Sequence, residues 1–211
     1  MSFHSQDWLS SKSVRRKKVQ KRSYEKKAHV CPPWLSWLLI NPIRSISQNP
    51  KKTLQRFIRK GDTVLDAGCG PGYFTTVMAE LVGENGLVIA ADIQEWMLEK
   101  VRRRVKRAGL LRQVRLHLAQ ADRLNVPSDH VDFALAFWMA HEVPDKGRLF
   151  TEILGCLKPG GILLLAEPKI HINENNFRRI VEAAGKAGFI SADPVPVRLS
   201  RAVIFHKPGN R

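Results

Sequence analysis

Short apolar runs alternate with longer amphipathic stretches along most of this chain. Five runs are rich in Val, Ile, Leu, Ala and Phe, and they cover residues 63–68, 87–92, 114–119, 131–137 and 161–168. Such continuously apolar runs are typical of parallel strands that are buried on both faces. Two further runs lie near the C-terminus, at roughly 192–197 and 200–206. The few residues between them cannot contain a crossover helix, so we predict an antiparallel hairpin at or near a sheet edge.

The amphipathic stretches between these runs have apolar residues at helical spacing and predict helices. They cover residues 73–83, 95–109, 147–157 and 175–188. Strands that alternate with helices predict an α/β fold, with a doubly wound, mostly parallel sheet that has helices on both faces. Together with the C-terminal hairpin, the pattern predicts seven strands.

The N-terminal part of the chain lacks this alternation. Residues 1–28 carry dense like charge and few core-forming side chains, so we predict a disordered basic tail. Residues 29–50 contain Trp34 and Trp37 on one face of a possible short helix that starts at prolines. We interpret this segment as a lid over a ligand site, with an interfacial lipid anchor as the alternative. The α/β domain is then expected over residues 51–211.

The formal net charge of +16 is unevenly distributed, with basic clusters in residues 1–27 and 99–115. Such surfaces bind RNA, an anionic membrane or an acidic partner by counter-ion release and long-range attraction. A solvated tail and a solvated helix face are the alternative. The charge alone leaves these possibilities open, and no sequence feature indicates an oligomeric state.

Cysteine usage and hydropathy bear on the compartment. The three cysteines are scattered and form no disulfide framework, which favours a reducing cytoplasm. No apolar run approaches the roughly 18 residues that span a bilayer. The N-terminus is polar and lacks the apolar core of a signal peptide. We therefore predict a cytoplasmic location.

A glycine-rich loop, "DAGCGPG" at residues 66–72, follows the first predicted strand. Glycine lets the backbone approach a ligand closely. The second strand ends at Asp92, an acid suited to ribose hydroxyls. The D-x-G-x-G-x-G spacing differs from the G-x-G-x-x-G of dinucleotide sites. Asp66 would repel a phosphate but would suit a cation, and Asp122 after the third strand can accept from an adenine amine. Adenine, ribose and cationic groups without phosphates describe S-adenosylmethionine.

Five ordered segments strengthen this reading: "VLDAGCGPGYFT", "VIAADIQEWML", "AQADRLNVP", "VDFALAFWMAHEVPD" and "LKPGGILLLAEPK". They resemble the successive motifs of class I S-adenosylmethionine-dependent methyltransferases, most closely the small-molecule and quinone-type branch. The resemblance covers roughly residues 51–207. It implies a Rossmann-like fold, S-adenosyl-L-methionine as cofactor, and methyl transfer to a small-molecule acceptor by in-line displacement.

The resemblance also assigns parts of the cofactor to particular residues. One acid and two glycines line the methionine end, a second acid holds the ribose, and a third acid accepts from the adenine amine. Apolar side chains pack on the adenine or close the site from the fourth strand. The expected cofactor-binding residues are Asp66, Gly68, Cys69, Gly70, Gly72, Asp92, Ile93, Met97, Ala121, Asp122 and Phe137.

The stretch "AHEVPD" at residues 140–145 looks like the start of an H-E-x-x-H zinc helix. Asp145 stands where the second His is needed, and Pro144 would break the helix, so we predict no metal site. We predict instead a turn that leaves the fourth strand at the rim where methyl donor and acceptor meet. His141 is the candidate base, because imidazole titrates near neutral pH. Glu142 is the candidate to orient it, and a loop-shaping role is the alternative for both.

Other candidates lie beside these residues. Glu167 and His171 follow the fifth strand and are candidate pocket residues. An RNA or protein methyltransferase recruited by the basic tail is an alternative function. The absence of an N/D-P-P-Y/F motif after the fourth strand argues against it. A non-catalytic nucleic-acid-binding module on the same fold is a further alternative.

Overall fold

The computed structural model describes residues 49–120 and 123–209. The predictions for the basic tail, for nearly all of the 29–50 segment, and for Ala121 and Asp122 lie outside these residues. The described part contains seven strands: β1 Thr63–Ala67, β2 Leu87–Asp92, β3 Val114–Leu118, β4 Val131–Phe137, β5 Leu157–Pro168, β6 Ile190–Pro194 and β7 Ser200–His206. Its five α-helices are α1 Pro50–Leu54, α2 Tyr73–Val82, α3 Glu95–Arg107, α4 Lys146–Cys156 and α5 Glu174–Lys186. Short 3₁₀ turns occur at Leu111–Gln113 and Ala140–Glu142.

All seven strands form one sheet in the order β3-β2-β1-β4-β5-β7-β6. Strands β1 to β5 are mutually parallel, whereas β7 runs antiparallel to both β5 and β6. The α/β prediction and the antiparallel C-terminal hairpin are therefore confirmed. The strand order reverses between β1 and β4, and ligands of such sheets bind outside the carboxyl ends of the strands at this point.

Both faces of the sheet are covered, which explains the continuously apolar strands. On one face, apolar side chains of α4 and α5 pack with alternate strand residues such as Leu65. On the other, side chains of α1, α2 and α3 pack with the neighbouring set, such as Val64. Successive strand residues point to opposite faces, so both sets must be apolar. None of the described helices is long and apolar enough to cross a bilayer.

Most boundaries agree with the sequence predictions to within two residues, and three differences are larger. Strand β6 ends at Pro194 instead of continuing to residue 197, because Pro196 has no N–H to donate to a neighbouring strand. Strand β5 already begins at Leu157, with a register shift against β4 that accommodates the glycines at its start. Helix α1 was not predicted; the Asn49 side chain caps it by accepting from the Lys52 N–H at 3.1 Å.

Candidate active site

The glycine-rich loop joins the carboxyl end of β1 to α2. The Cys69 N–H donates to the Ala91 carbonyl of β2 at 3.0 Å, which holds the loop against the neighbouring strand. Gly72 precedes α2 with a positive φ of 83°. A Cβ at Gly72 would lie 3.1 Å from a methyl group of Val101 in α3, so this glycine permits close packing of the two helices.

Asp92 at the end of β2 ties this loop to the strand edge. One carboxylate oxygen accepts from the Gly70 N–H and the other from the Gln94 N–H, each at 2.9 Å. Burial raises the pKa of Asp92, and these backbone hydrogen bonds oppose the rise. The next residue, Ile93, exposes 44% of its surface and offers an apolar patch beside the carboxylate. The arrangement suits a ligand with hydroxyl donors next to a planar apolar ring.

Asp66 lies beneath the same loop and is almost completely buried. Its carboxylate accepts from the Thr75 hydroxyl at 2.6 Å. Burial raises the pKa of Asp66 to about 7; the Thr75 hydrogen bond opposes the rise and the charge of Asp92 adds to it. Burial and these two acids also raise the pKa of the Cys69 thiol, so Cys69 stays protonated. A cationic ligand near the loop would stabilise the ionised form of Asp66.

The raised pKa of Asp66 predicts an unusual pH dependence of stability. An unfolded chain ionises this carboxyl near its ordinary pKa of about 3.9, whereas the folded protein ionises it only near 7. The stabilising contribution of the proton is complete at low pH and is lost as the pH rises through the folded pKa. Between pH 5 and 8, we expect the free energy of unfolding to fall by about 2 kcal/mol relative to Asp66→Asn. Denaturant titration of both proteins at each pH measures this, and parallel pH profiles would contradict it.

The segment after β4 turns sharply at the same edge of the sheet. Trp138 has a positive φ of 58°, its N–H donates to the Ala166 carbonyl of β5 at 2.8 Å, and its indole N–H donates to the Ser200 hydroxyl at 2.9 Å. Within "AHEVPD", a 3₁₀ turn ends before Pro144, and Asp145 caps α4 by accepting from the Arg148 N–H at 2.9 Å. The stretch is thus a turn followed by a helix cap.

His141 is paired with Glu167, which lies near the end of β5 and is fully buried. One oxygen of Glu167 lies 2.5 Å from His141 Nδ1, and the other accepts from the His141 backbone N–H at 3.1 Å. Glu142 is more distant, with an oxygen 3.9 Å from His141 Nε2. Glu167 therefore orients the imidazole, a role that the sequence suggested for Glu142. The sequence signal for Glu167 was an acid near the end of an otherwise apolar buried strand.

The pairing fixes the chemistry of the imidazole. A proton on Nδ1 donates to Glu167, which leaves Nε2 as the basic atom of the neutral ring. Burial lowers the pKa of His141, but the hydrogen bond and charge of Glu167, together with the charge of Glu142, outweigh it and raise the pKa above its usual value. The neutral ring can therefore accept a proton at Nε2, which is what a general base requires.

A recess of about 350 Å³ lies at the same edge and is lined by Trp138, Lys169, Ile170 and Leu199. These residues follow β4, follow β5 and precede β7, so the recess adjoins the turn that carries His141. The lining is almost entirely apolar, and Lys169 contributes to it as a residue of the rim. His171 is exposed and is not among the lining residues.

The glycine loop and the turn after β4 are in direct contact. Gly68 has a φ of +65°, and a Cβ placed on it would lie 2.9 Å from the Cβ of Met139. Gly70 has a φ of +51°, but a Cβ there would meet no atom within 4 Å. The space above Gly70 is therefore open for a ligand, whereas Gly68 is needed for packing.

We expect substitutions at these two glycines to affect different properties: Gly68 mainly the stability of the fold, and Gly70 mainly the binding of a ligand. Gly68→Ala combines an unfavourable φ with a clash against Met139, so we expect a loss of about 2 kcal/mol in the free energy of unfolding. Gly70→Ala adds only the backbone strain, about 1 kcal/mol, but places a methyl group in the open space. We expect it to weaken ligand binding at least about tenfold. Denaturation and calorimetry on both variants measure this; equal effects of the two variants on stability would contradict it.

The structure thus brings Asp66, Gly68, Cys69, Gly70 and Asp92 together around one loop. Met97 is buried in the first turn of α3, just after the β2 edge. The Phe137 ring packs 4.2 Å from that of Phe74 in α2. Among residues 49–120 and 123–209, no group of His, Cys, Asp and Glu side chains has the arrangement of a metal site.

Comparison with known proteins gives three findings. Residues 64–161 match the family described as "Methyltransferase domain". The ubiquinone/menaquinone biosynthesis C-methyltransferase UbiE of Escherichia coli is 36% identical over 110 residues, which are 52% of this chain and 44% of that protein. The chain therefore spans less than half of the length of this curated relative. The crystal structure of a SAM-dependent methyltransferase from Aquifex aeolicus is 25% identical, with a TM-score of 0.76 over 83% of this chain and 98% of that one.

A more distant structural neighbour shows that the fold alone does not identify the reaction. The [4+2]-cyclase SpnF is 17% identical, with a TM-score of 0.65 over 77% of this chain and 82% of that one. A protein that is named a cyclase thus shares this architecture. The reaction must therefore be argued from the site residues of this chain.

Proposed function

We propose that the chain is a class I S-adenosylmethionine-dependent methyltransferase that transfers a methyl group from S-adenosylmethionine to a small, largely apolar acceptor. The match of residues 64–161 to a methyltransferase domain and the likeness to a SAM-dependent methyltransferase structure support this proposal. The observation that carries the proposal is that the glycine loop contacts the turn that bears His141. A donor held by the loop and an acceptor beside that turn would meet at the same strand edge.

The loop residues suit S-adenosylmethionine. The open space above Gly70 leaves room for the ligand next to backbone. Asp66 and Asp92 are buried acids whose raised pKa values a positive ligand would lower. Asp92 is placed for the ribose hydroxyls and Ile93 for the adenine ring. The matched family implies the same cofactor. When bound, S-adenosylmethionine supplies a methyl group on a sulfonium, which leaves as a neutral thioether.

His141 acts in this proposal as the general base. Its Nε2 accepts the proton of an acceptor hydroxyl, and Glu167 stabilises the imidazolium that forms. The deprotonated oxygen, or a ring carbon that this oxygen activates, forms the new bond to the methyl carbon as the carbon–sulfur bond breaks. The negative charge of the acceptor and the positive charge of the sulfonium disappear together. Exclusion of water and in-line orientation supply the remaining catalysis.

The recess beside Trp138 is the proposed acceptor site. Its aliphatic and aromatic lining favours an apolar ring, and Lys169 at its rim suits an oxygen that carries partial negative charge. A quinone-type ring, of the kind named for the curated relative, has these properties. We therefore propose that a cytoplasmic enzyme methylates a phenolic ring, or a quinone-type ring in its reduced form, which carries the hydroxyl group that His141 deprotonates.

The proposal is tested by methyl transfer from labelled S-adenosylmethionine into a fractionated cell extract. We expect label in small apolar molecules extracted by organic solvent, and only background label in RNA and protein. Label confined to RNA or to protein would overturn the choice of acceptor. Failure to bind S-adenosylmethionine in calorimetry would overturn the enzymatic function itself.

A further inference from the structure

The mouth of the recess carries an unusual combination of exposed side chains. Ile170 is 86% exposed, more than any other large apolar residue in the described part of the chain, and Leu199 is 54% exposed. Each is preceded by an exposed cation, Lys169 and Arg198 respectively. We call these four residues the basic–apolar rim. Apolar side chains this exposed mark contact surfaces when they are clustered and bordered by polar groups.

The exposure of the rim is built into the fold. The Lys169 N–H donates to the Leu199 carbonyl at 3.0 Å, which joins the two segments. Ile172, two residues after Ile170, is buried, and its N–H donates to the Pro168 carbonyl at 2.9 Å. Arg201 donates to the Ile172 carbonyl at 2.7 Å and pairs with Glu174. Ile170 and Leu199 are therefore held outward by an anchored backbone.

Leu199 also has a positive φ of 61°. This conformation is uncommon for residues other than glycine, and strained residues that persist in a well-anchored segment often serve a function. Here the conformation presents a leucine to solvent at a position where glycine or asparagine would be relaxed.

The cations of the rim are available to a partner. Among residues 49–120 and 123–209, neither Lys169 nor Arg198 forms an ion pair. Adjacent cations and exposed aliphatic side chains match the two layers of an anionic bilayer surface, since the cations attract lipid phosphates and the aliphatic groups enter the acyl boundary. A nucleic acid would use the cations but would leave Ile170 and Leu199 in water.

We propose that the basic–apolar rim docks the protein on an anionic lipid bilayer, with the mouth of the recess facing the membrane. An apolar acceptor could then pass from the bilayer into the recess without crossing water. This delivery role rests on the proposed function, whereas docking itself does not require activity.

Vesicle flotation with the full chain tests the proposal, using phosphatidylcholine alone or mixed with phosphatidylglycerol. Wild type should float with the mixed vesicles. Lys169→Glu with Arg198→Glu should reduce partitioning at least about 25-fold, at about fivefold for each of the two cations lost. Ile170→Ser with Leu199→Asn should reduce it roughly tenfold; Asn tolerates the positive φ at position 199. Thermal unfolding establishes that each variant is folded.

The matched control lies on α3. Lys106 and Arg107 are exposed, and within the described residues neither is in an ion pair, so Lys106→Glu with Arg107→Glu changes the net charge equally. We expect this variant to float nearly as wild type does. The proposal is wrong if this control variant loses binding as strongly as the rim variants do. It is also wrong if the folded rim variants and wild type float alike with the mixed vesicles. Because flotation is independent of turnover, inactive protein that still floats would overturn only the proposed function.

Discussion

Asp92→Ala should weaken the binding of S-adenosylmethionine roughly 100-fold, one of the two largest effects that we expect from a single substitution. The substitution removes the proposed acceptor of the ribose hydroxyls. It also leaves the N–H groups of Gly70 and Gln94 without the carboxylate that now accepts from both at 2.9 Å. The glycine loop thus loses its link to the β2 edge in the same step. Isothermal calorimetry measures the affinity directly.

A matched acid outside the site provides the control for Asp92. Asp193 lies on the exposed edge strand β6, on the far side of the sheet from β2. Asp193→Ala should leave the affinity for S-adenosylmethionine unchanged within about twofold. An Asp92→Ala protein that remains folded and binds the cofactor as tightly as wild type would exclude the proposed cofactor site.

The sequence predicted the parallel part of the fold well because its signals are local. Strands buried on both faces must be apolar throughout, and this property alone located β1, β2 and β4. The glycine loop could be recognised for the same reason, since Gly68 and Gly72 occupy backbone conformations and close contacts that exclude other residues. The exposed edge strand β6 buries none of its residues, so hydrophobicity gave its bounds poorly.

The partner of His141 depended on tertiary structure. Glu142 is adjacent in sequence and was the natural choice, but neighbouring side chains in a tight turn point in different directions. Glu167 lies 26 residues away in the chain and reaches His141 only because β4 and β5 are paired in the sheet. Likewise, the basic–apolar rim joins residues near 169 and 199, and no local pattern indicates that these segments meet.

His141→Ala should reduce turnover about 1000-fold and leave the affinity for S-adenosylmethionine nearly unchanged, since general acid–base catalysis contributes on this scale. The imidazole must be neutral to accept a proton. Turnover should therefore rise with pH through the pKa of His141, which Glu167 and Glu142 raise above its usual value against the effect of burial, and level off above it. Initial rates at saturating cofactor across the pH range measure this profile.

Two carboxamide variants distinguish a base from a residue that only shapes the loop. Glu167→Gln removes the charge next to Nδ1, so the pKa of His141 should fall and the acid limb of the profile should move to lower pH. Glu142→Gln should move it less, because its carboxylate oxygen lies 3.9 Å from Nε2, whereas that of Glu167 lies 2.5 Å from Nδ1. A loop-shaping role predicts no shift in either variant and a joint loss of turnover and cofactor affinity in His141→Ala. The order of the two shifts tests the pairing, because electrostatic coupling falls with distance.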